Sequence, residues 1–180
     1  MLSETSKCRE RLSKYCVGNG VDIGFGGDPI VPNAITVDLE KPYTNVGDHQ
    51  QNLICDIMDL NKIFKSLSLD YIYSSHLLED FSVDEMHTIF WRLVDLLKFK
   101  GRLVLYLPDQ QKYVAHCEEK GTAPNANHKI KDFGLERFKN IVQLWPSFGP
   151  HFAAKMDLII EYENSEVDDY SFEIVIRKEI

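Results

Sequence analysis

VDIGFGGDPIVPNAITVDLE, residues 21–40, sets two apolar runs around a knot of glycines and closes the second run with Asp38. Glycine serves where a backbone must turn through positive φ or approach a neighbour more closely than a Cβ permits. An acid ending the next strand suits a ligand that carries hydroxyls. Both runs read as strands, "GVDI" (20–23) and "AITVDL" (34–39), the second rich in β-branched residues. Between Gly27 and Ala34 stand only six residues, two of them proline. A parallel crossover ordinarily needs about a dozen residues and a helix, whereas six extended residues reach about 20 Å. An open loop or one helical turn is expected there, leaving the glycine turn less covered and the site beside it wider than usual.

Outward from this stretch, strands and helices alternate. "NLICDI" (52–57) reads as a third strand ending at Asp56, "MDLNKIFKSL" (58–67) as a short helix and "LDYIYSS" (69–75) as a fourth strand. In "SVDEMHTIFWRLVDLLK" (82–98), Ser82 and Glu85 have capping-box spacing, and Met86, Ile89, Phe90, Leu93, Leu96 and Leu97 repeat at helical intervals. "GRLVLYLP" (101–108) reads as a fifth strand. An irregular stretch follows, then a helix over 135–143. Two strands, 156–163 and 170–178, form an antiparallel hairpin. Residues 3–16 read as an N-terminal helix. This predicts a single α/β domain over 1–180, a three-layer sandwich of about seven strands, mostly parallel with an antiparallel edge.

Composition narrows the function. A net charge of -8 disfavours a nucleic-acid binder. Residues 111–155 run against that trend, with 7 Lys and Arg against 4 Asp and Glu. The four cysteines show no zinc spacing, so no metal is expected, and they read as reduced thiols. The charged start has no signal core and no apolar run approaches the ~20 residues of a membrane helix, so a soluble, cytoplasmic protein is expected. A homodimer stays open.

Asp22, Gly24, Gly26, Gly27, Asp38, Asp56, Ser74, Ser75, His76 and Asp109 all fall at the carboxyl ends of strands, where open α/β sheets bind ligands. A dinucleotide turn is G-x-G-x-x-G with a helix behind it. Here the order is D-x-G-x-G-G, Pro29 occupies the third glycine's place, and an acid precedes the turn, where it would repel a pyrophosphate. A dehydrogenase is therefore disfavoured, and a ligand with a cationic part suits the acid better.

With "VDIGFGG", "ITVDLE", "NLICDIMDL", "LDYIYSSHLLEDF" and "LLKFKGRLVLYLPD" in this order, the chain resembles class I S-adenosylmethionine-dependent methyltransferases over 17–110, and after 135 it matches their closing part. The resemblance implies that Gly24, Phe25, Gly26 and Gly27 line the methionine-ribose section of S-adenosylmethionine. It implies that Asp22 faces the amino group, that Asp38, followed by Leu39, binds the ribose hydroxyls, and that Asp56 and Ile57 sit at the adenine. Ser74, Ser75 and His76 would lie beside the methionine. The chain departs from the family's pattern in the shortened first crossover and in "KFKG", where Pro-Gly-Gly is common. The short-crossover form looks most similar to methyltransferases of small molecules or glycans in bacterial surface-polysaccharide pathways.

The chemistry is expected on an acceptor-side loop spanning 108–134, which holds Tyr113, His116 and His128. His128 is the candidate general base, its neutral form favoured by Lys129 beside it, and Asp109 is the second candidate. His76 would shape the cofactor rim, and His87 would face solvent. "WPSFGPHF" (145–152) could wall an acceptor pocket or simply pack as a loop. The expected reaction is methyl transfer to a hydroxyl of a small, neutral or anionic acceptor such as a sugar or sugar nucleotide. The alternatives are an N-methyltransferase acting on a small amine or protein side chain, and a non-catalytic partner subunit with the same fold.

Overall fold

A computed structural model describes residues 3–47, 49–148 and 158–179, with 142–148 described by their backbone. Seven strands form one sheet: β1 Gly20–Ile23, β2 Ile35–Asp38, β3 Leu53–Ile54, β4 Leu69–Ser75, β5 Leu97–Pro108, β6 Leu158–Val167 and β7 Ser171–Lys178. Their order is β3-β2-β1-β4-β5-β7-β6. The first five run parallel, and β7 lies antiparallel between β5 and β6. The strand order reverses at β1, so the carboxyl ends of β1, β2 and β4 open onto one crevice.

The period of two along each strand sends alternate residues to two separate cores. Val21, Ile23, Ile72, Leu103 and Leu105 pack under α2 (Val83–Leu96), which contributes Met86, Ile89, Phe90 and Leu93, and under Phe138 and Ile141 of α4 (Leu135–Phe148). Tyr71, Tyr73, Val104, Tyr106 and Val175 point the other way. They are covered by Cys8 and Leu12 of α1 (Glu4–Leu12), together with Cys16, Ile30 and Ala34. The short crossover holds no helix, as expected, and the N-terminal helix with the proline loop shields that face instead. All four cysteines are free. Among the described residues no helix is long and apolar enough to cross a membrane.

Several boundaries differ from expectation. The third strand is two residues long, because Asp56 leaves the sheet to cap a 3-10 helix, Ile57–Lys62, through Met58 N–H (2.8 Å). The expected helix over 58–67 is this short turn. The N-terminal helix ends at Leu12 and tightens into a 3-10 turn, Ser13–Tyr15. The fifth strand begins four residues early, at Leu97. The capping box of α2 is present, with Ser82 N–H and Oγ both donating to Glu85 Oε2 at 2.8 Å. The largest correction concerns 108–134, which is no plain loop. It contains α3, Gln110–Lys120, capped by Asp109 and ended by Gly121 at φ +66°.

Lys178 on β7 is almost fully buried, and its Nζ donates to the carbonyls of Val94 and Leu97 at the end of α2 (2.8 and 2.9 Å). Burial lowers its pKa. A Lys178→Met protein keeps the stem but strands two carbonyls, and is expected to lose about 1–3 kcal/mol in urea unfolding. An unchanged midpoint would mean that those carbonyls need no donor.

Candidate functional site

Two cavities of about 400 and 480 Å³ meet at the carboxyl edge of the sheet, sharing Gly24, Asp38, Tyr43, Leu77, Asp80 and Asn127. The first runs past the ends of β2 and β3 and is lined by Leu39, Asp56, Ile57 and Lys129. The second runs past β4 toward α3 and is lined by Gly26, His76, Glu79, Tyr113, His128 and Tyr170, among others. Together they form one cleft with Gly24 and Asp38 at its waist.

The waist follows from local backbone demands. Gly24 stands at φ +65°, and its N–H donates to Val37 O (2.8 Å). A Cβ there would lie 3.0 Å from Leu77 Cδ2. Asp38 Oδ1 accepts from Leu39 N–H (2.8 Å) and Oδ2 from Gly26 N–H (3.3 Å), which ties the second strand to the glycine turn. Partial burial raises the pKa of Asp38 above the ordinary value.

Of the residues expected around a cofactor, Gly24, Gly26, Asp38, Leu39, Asp56, Ile57 and His76 border this cleft, and five do not. Phe25 is buried and borders a separate hollow with Arg9 and Asp28. Gly27 is clamped under the chain: a Cβ would meet Asn45 Oδ1 at 2.3 Å and Val46 O at 2.5 Å. The turn is thus covered at Gly27 and open to the cleft at Gly24 and Gly26. Ser74 Oγ donates to Ile23 O (3.1 Å) within the sheet, and Ser75 is buried beside it.

Asp22 points into the core under α1, where one oxygen accepts from Ile30 N–H (2.7 Å) and holds the proline loop. Burial pushes its pKa from 3.8 up to about 8, so the native state keeps a proton that the unfolded chain releases. Its stabilising contribution is complete below about pH 4 and is lost as pH rises toward 8. Asp22→Asn is expected to flatten the decline of unfolding free energy over that window. Parallel curves for the two proteins would refute the assignment.

The second cavity centres on Glu79, which the sequence reading passed over. Glu79 is 1% exposed, and its Oε1 lies 3.8 Å from His128 Nε2 and 3.9 Å from His76 Nδ1. Its Oε2 has no hydrogen-bond partner among the described residues, and neither does Asp80 Oδ1. Burial raises the pKa of both carboxyls, that of Glu79 strongly. His128 Nδ1 meets Gln110 Oε1 at 2.6 Å; an amide oxygen only accepts, so Nδ1 carries the hydrogen and Nε2 keeps the lone pair. Desolvation lowers the pKa of His128, and burial brings that of His76 down to about 4. His76 sits at φ +47° with Nε2 3.2 Å from Ser171 Oγ.

The expected influence of Lys129 on His128 is corrected. Lys129 Nζ pairs with Glu85 (3.0 Å) and borders the other cavity, and it is burial that keeps His128 neutral. Asp109, the second base candidate, spends Oδ1 on Lys112 N–H (3.1 Å) as the cap of α3 and borders neither cavity. His116 packs on Tyr170 (ring centres 4.9 Å apart), outside the cavity lining. His87 is half-buried on α2 rather than facing solvent. In "WPSFGPHF", residues 149–152, including His151, lie outside the described residues. Among the described residues there is no cluster that could hold a metal ion.

No protein-family model and no curated protein matches the chain. Solved structures do. A SAM-dependent methyltransferase from Archaeoglobus fulgidus superposes with TM-score 0.66 at 14% identity, over 97% of this chain and 92% of that one. The chain has the class I methyltransferase fold. The same fold appears in the N-methyltransferase NodS from Bradyrhizobium japonicum WM9, solved with S-adenosyl-L-homocysteine (TM-score 0.53, 17% identity, 97% and 85% covered). It appears again in the mitomycin 7-O-methyltransferase MmcR (0.61, 15%, 97% of this chain and 53% of that one). Within this methyltransferase fold the cleft lies at the point where strand order reverses, the position at which open α/β sheets hold ligands.

Proposed function

We propose that the chain binds S-adenosylmethionine across the waist of the cleft and transfers its methyl group to a small acceptor in the second cavity. The observation that carries this reading is the junction itself. A glycine without a Cβ and the Asp38 carboxylate share the border of two cavities, each within the ~300–1,000 Å³ typical of small-molecule sites. The donor groups fit the cofactor. It has ribose hydroxyls for Asp38, an adenine for the apolar space beside Leu39 and Ile57, and no phosphate that would need a cationic cradle. Bound there, it would supply an electrophilic methyl group on a sulfonium.

The residues of the chain then have separable tasks. Gly24 and Leu77 set the width of the waist, and Asp38 fixes the ribose end. Gln110 holds the His128 tautomer whose Nε2 can take a proton from the acceptor. The intact glycine turn and Asp38 favour an enzyme over a non-catalytic subunit. A hydroxyl acceptor of sugar type rests on the basic island in the sequence. None of that island's lysine or arginine side chains borders the second cavity among the described residues.

Calorimetry with S-adenosylmethionine, S-adenosylhomocysteine and NAD tests the cofactor assignment, and binding of NAD alone would overturn it. For the base, His128→Ala is expected to lower turnover about 10²–10³-fold while leaving cofactor affinity within about twofold. Because burial lowers the pKa of His128, the acid limb of its rate profile should fall below the ordinary histidine value. Equal turnover in the variant would exclude His128 as the base.

A further inference from the structure

Resting on the methyltransferase reading, we propose that the second cavity is an ammonium site and that the group methylated is an amine. Three carboxyl groups border it, from Glu4, Glu79 and Asp80, besides Asp38 at the waist, and no lysine or arginine side chain does among the described residues. Glu4 is already matched by Lys7 (2.8 Å). Glu79 Oε2 and Asp80 Oδ1 accept no hydrogen bond: among the described residues both atoms are buried without a partner, and the only cation acting on Asp80 is Lys129, which is itself paired with Glu85.

A buried carboxyl oxygen left without a donor is destabilising, so the cavity gains most from a guest rich in donors. A hydroxyl offers one donor and an ammonium offers three. The walls agree with a cation. Tyr113 and Tyr170 stand edge to face with centres 5.3 Å apart, and their faces suit a positive group. The chain's own Lys7 ammonium already illustrates this chemistry at the margin, 5.4 Å from the centre of the Tyr170 ring and bonded to Glu4.

An ammonium has no lone pair, so transfer requires one proton to leave first. His128 Nε2, 3.8 Å from Glu79 Oε1, takes it. The freed nitrogen pair then forms the nitrogen–carbon bond while the carbon–sulfur pair stays on sulfur, giving the methylated ammonium and the neutral thioether. Burial holds the Glu79 and Asp80 carboxyls toward their protonated forms while the cavity is empty; an ammonium guest favours their ionised forms, so they recruit the charged form of the acceptor, and the histidine converts it to the nucleophile.

The test compares S-adenosylhomocysteine with sinefungin, in which an amine-bearing carbon replaces the sulfur and so sets an ammonium at the mouth of the second cavity. The intact chain is expected to bind sinefungin about tenfold or more tighter, as charge-assisted hydrogen bonds allow. Glu79→Gln, which preserves shape, should bring the ratio close to one while S-adenosylhomocysteine affinity stays within about threefold. Asp80→Asn provides a second, independent variant should Glu79→Gln unfold. Equal affinities for the two ligands in the intact chain, unchanged in both variants, would overturn the amine assignment and leave the cofactor assignment standing. Binding of neither ligand would remove the methyltransferase reading, and the amine with it.

Discussion

A Gly24→Val protein is expected to fold and to lose at least about a hundredfold in affinity for S-adenosylhomocysteine, since a branched side chain would occupy the waist of the cleft. Two separate costs arise at that position. Gly24 sits at φ +65°, where a β-branched residue is strained by about 1–3 kcal/mol. Its first side-chain carbon would stand 3.0 Å from Leu77 Cδ2, so Leu77 must shift before the two γ methyls are placed. Those methyls enter the space shared by both cavities. Gly24 N–H still donates to Val37 O, so the sheet itself loses little. Calorimetry beside thermal unfolding separates the effects. Normal affinity in a folded variant would show that the ligand does not pass Gly24.

Gly27 lies three residues away and would answer differently, which shows what a sequence can and cannot say about glycine. Both glycines have positive φ, yet a Cβ on Gly27 strikes Asn45 and Val46 within the chain. Replacing it should damage the fold before any ligand is involved. The sequence showed that the turn needs glycine. It could not show which glycine faces a ligand, because that depends on where residues 44–46 return. Asp22 was legible in principle. Val21 and Ile23 belong to one core, so a period of two commits Asp22 to the opposite face rather than to the rim.

The alternation of apolar runs made the parallel sheet readable, and Ser82 with Glu85 marked the start of α2. Helix α3 was hidden because its buried residues are only Gln110 and Cys117, too few for a periodic apolar stripe. Its end signals, Asp109 with Lys112 N–H and Gly121, were the only cues available. Glu79 was hidden for another reason. In "SSHLLED" nothing distinguishes an acid that will be 1% exposed from one in solvent. Only the assembled site, with two histidine rings within 4 Å of Oε1, gives it significance. His128 and Lys129 teach the converse: neighbours in sequence, they border different cavities, and the lysine answers to Glu85.

Asp38→Ala is expected to weaken S-adenosylhomocysteine binding by about 2–3 kcal/mol, or about 30–150-fold, the scale of charge-assisted hydrogen bonds. The carboxylate stands at the waist, and its partial burial gives its hydrogen bonds more weight than on an open surface. Part of any loss belongs to the protein alone, since Leu39 N–H and Gly26 N–H also lose their acceptor. Asp38→Asn separates the two contributions: its amide oxygen can still accept one of those bonds, while the charge and the second acceptor are gone. If the ribose is held by the charge, Asn should lose nearly as much affinity as Ala yet unfold close to the parent. The pH dependence gives an independent reading. The pKa of Asp38 is raised, so acidification protonates it earlier than an exposed aspartate, and affinity for the cofactor should begin to fall at a correspondingly higher pH. In Asp38→Ala that acid limb should vanish. An Asp38→Ala protein that binds S-adenosylhomocysteine like the parent, with the acid limb intact, would move the ribose away from the second strand.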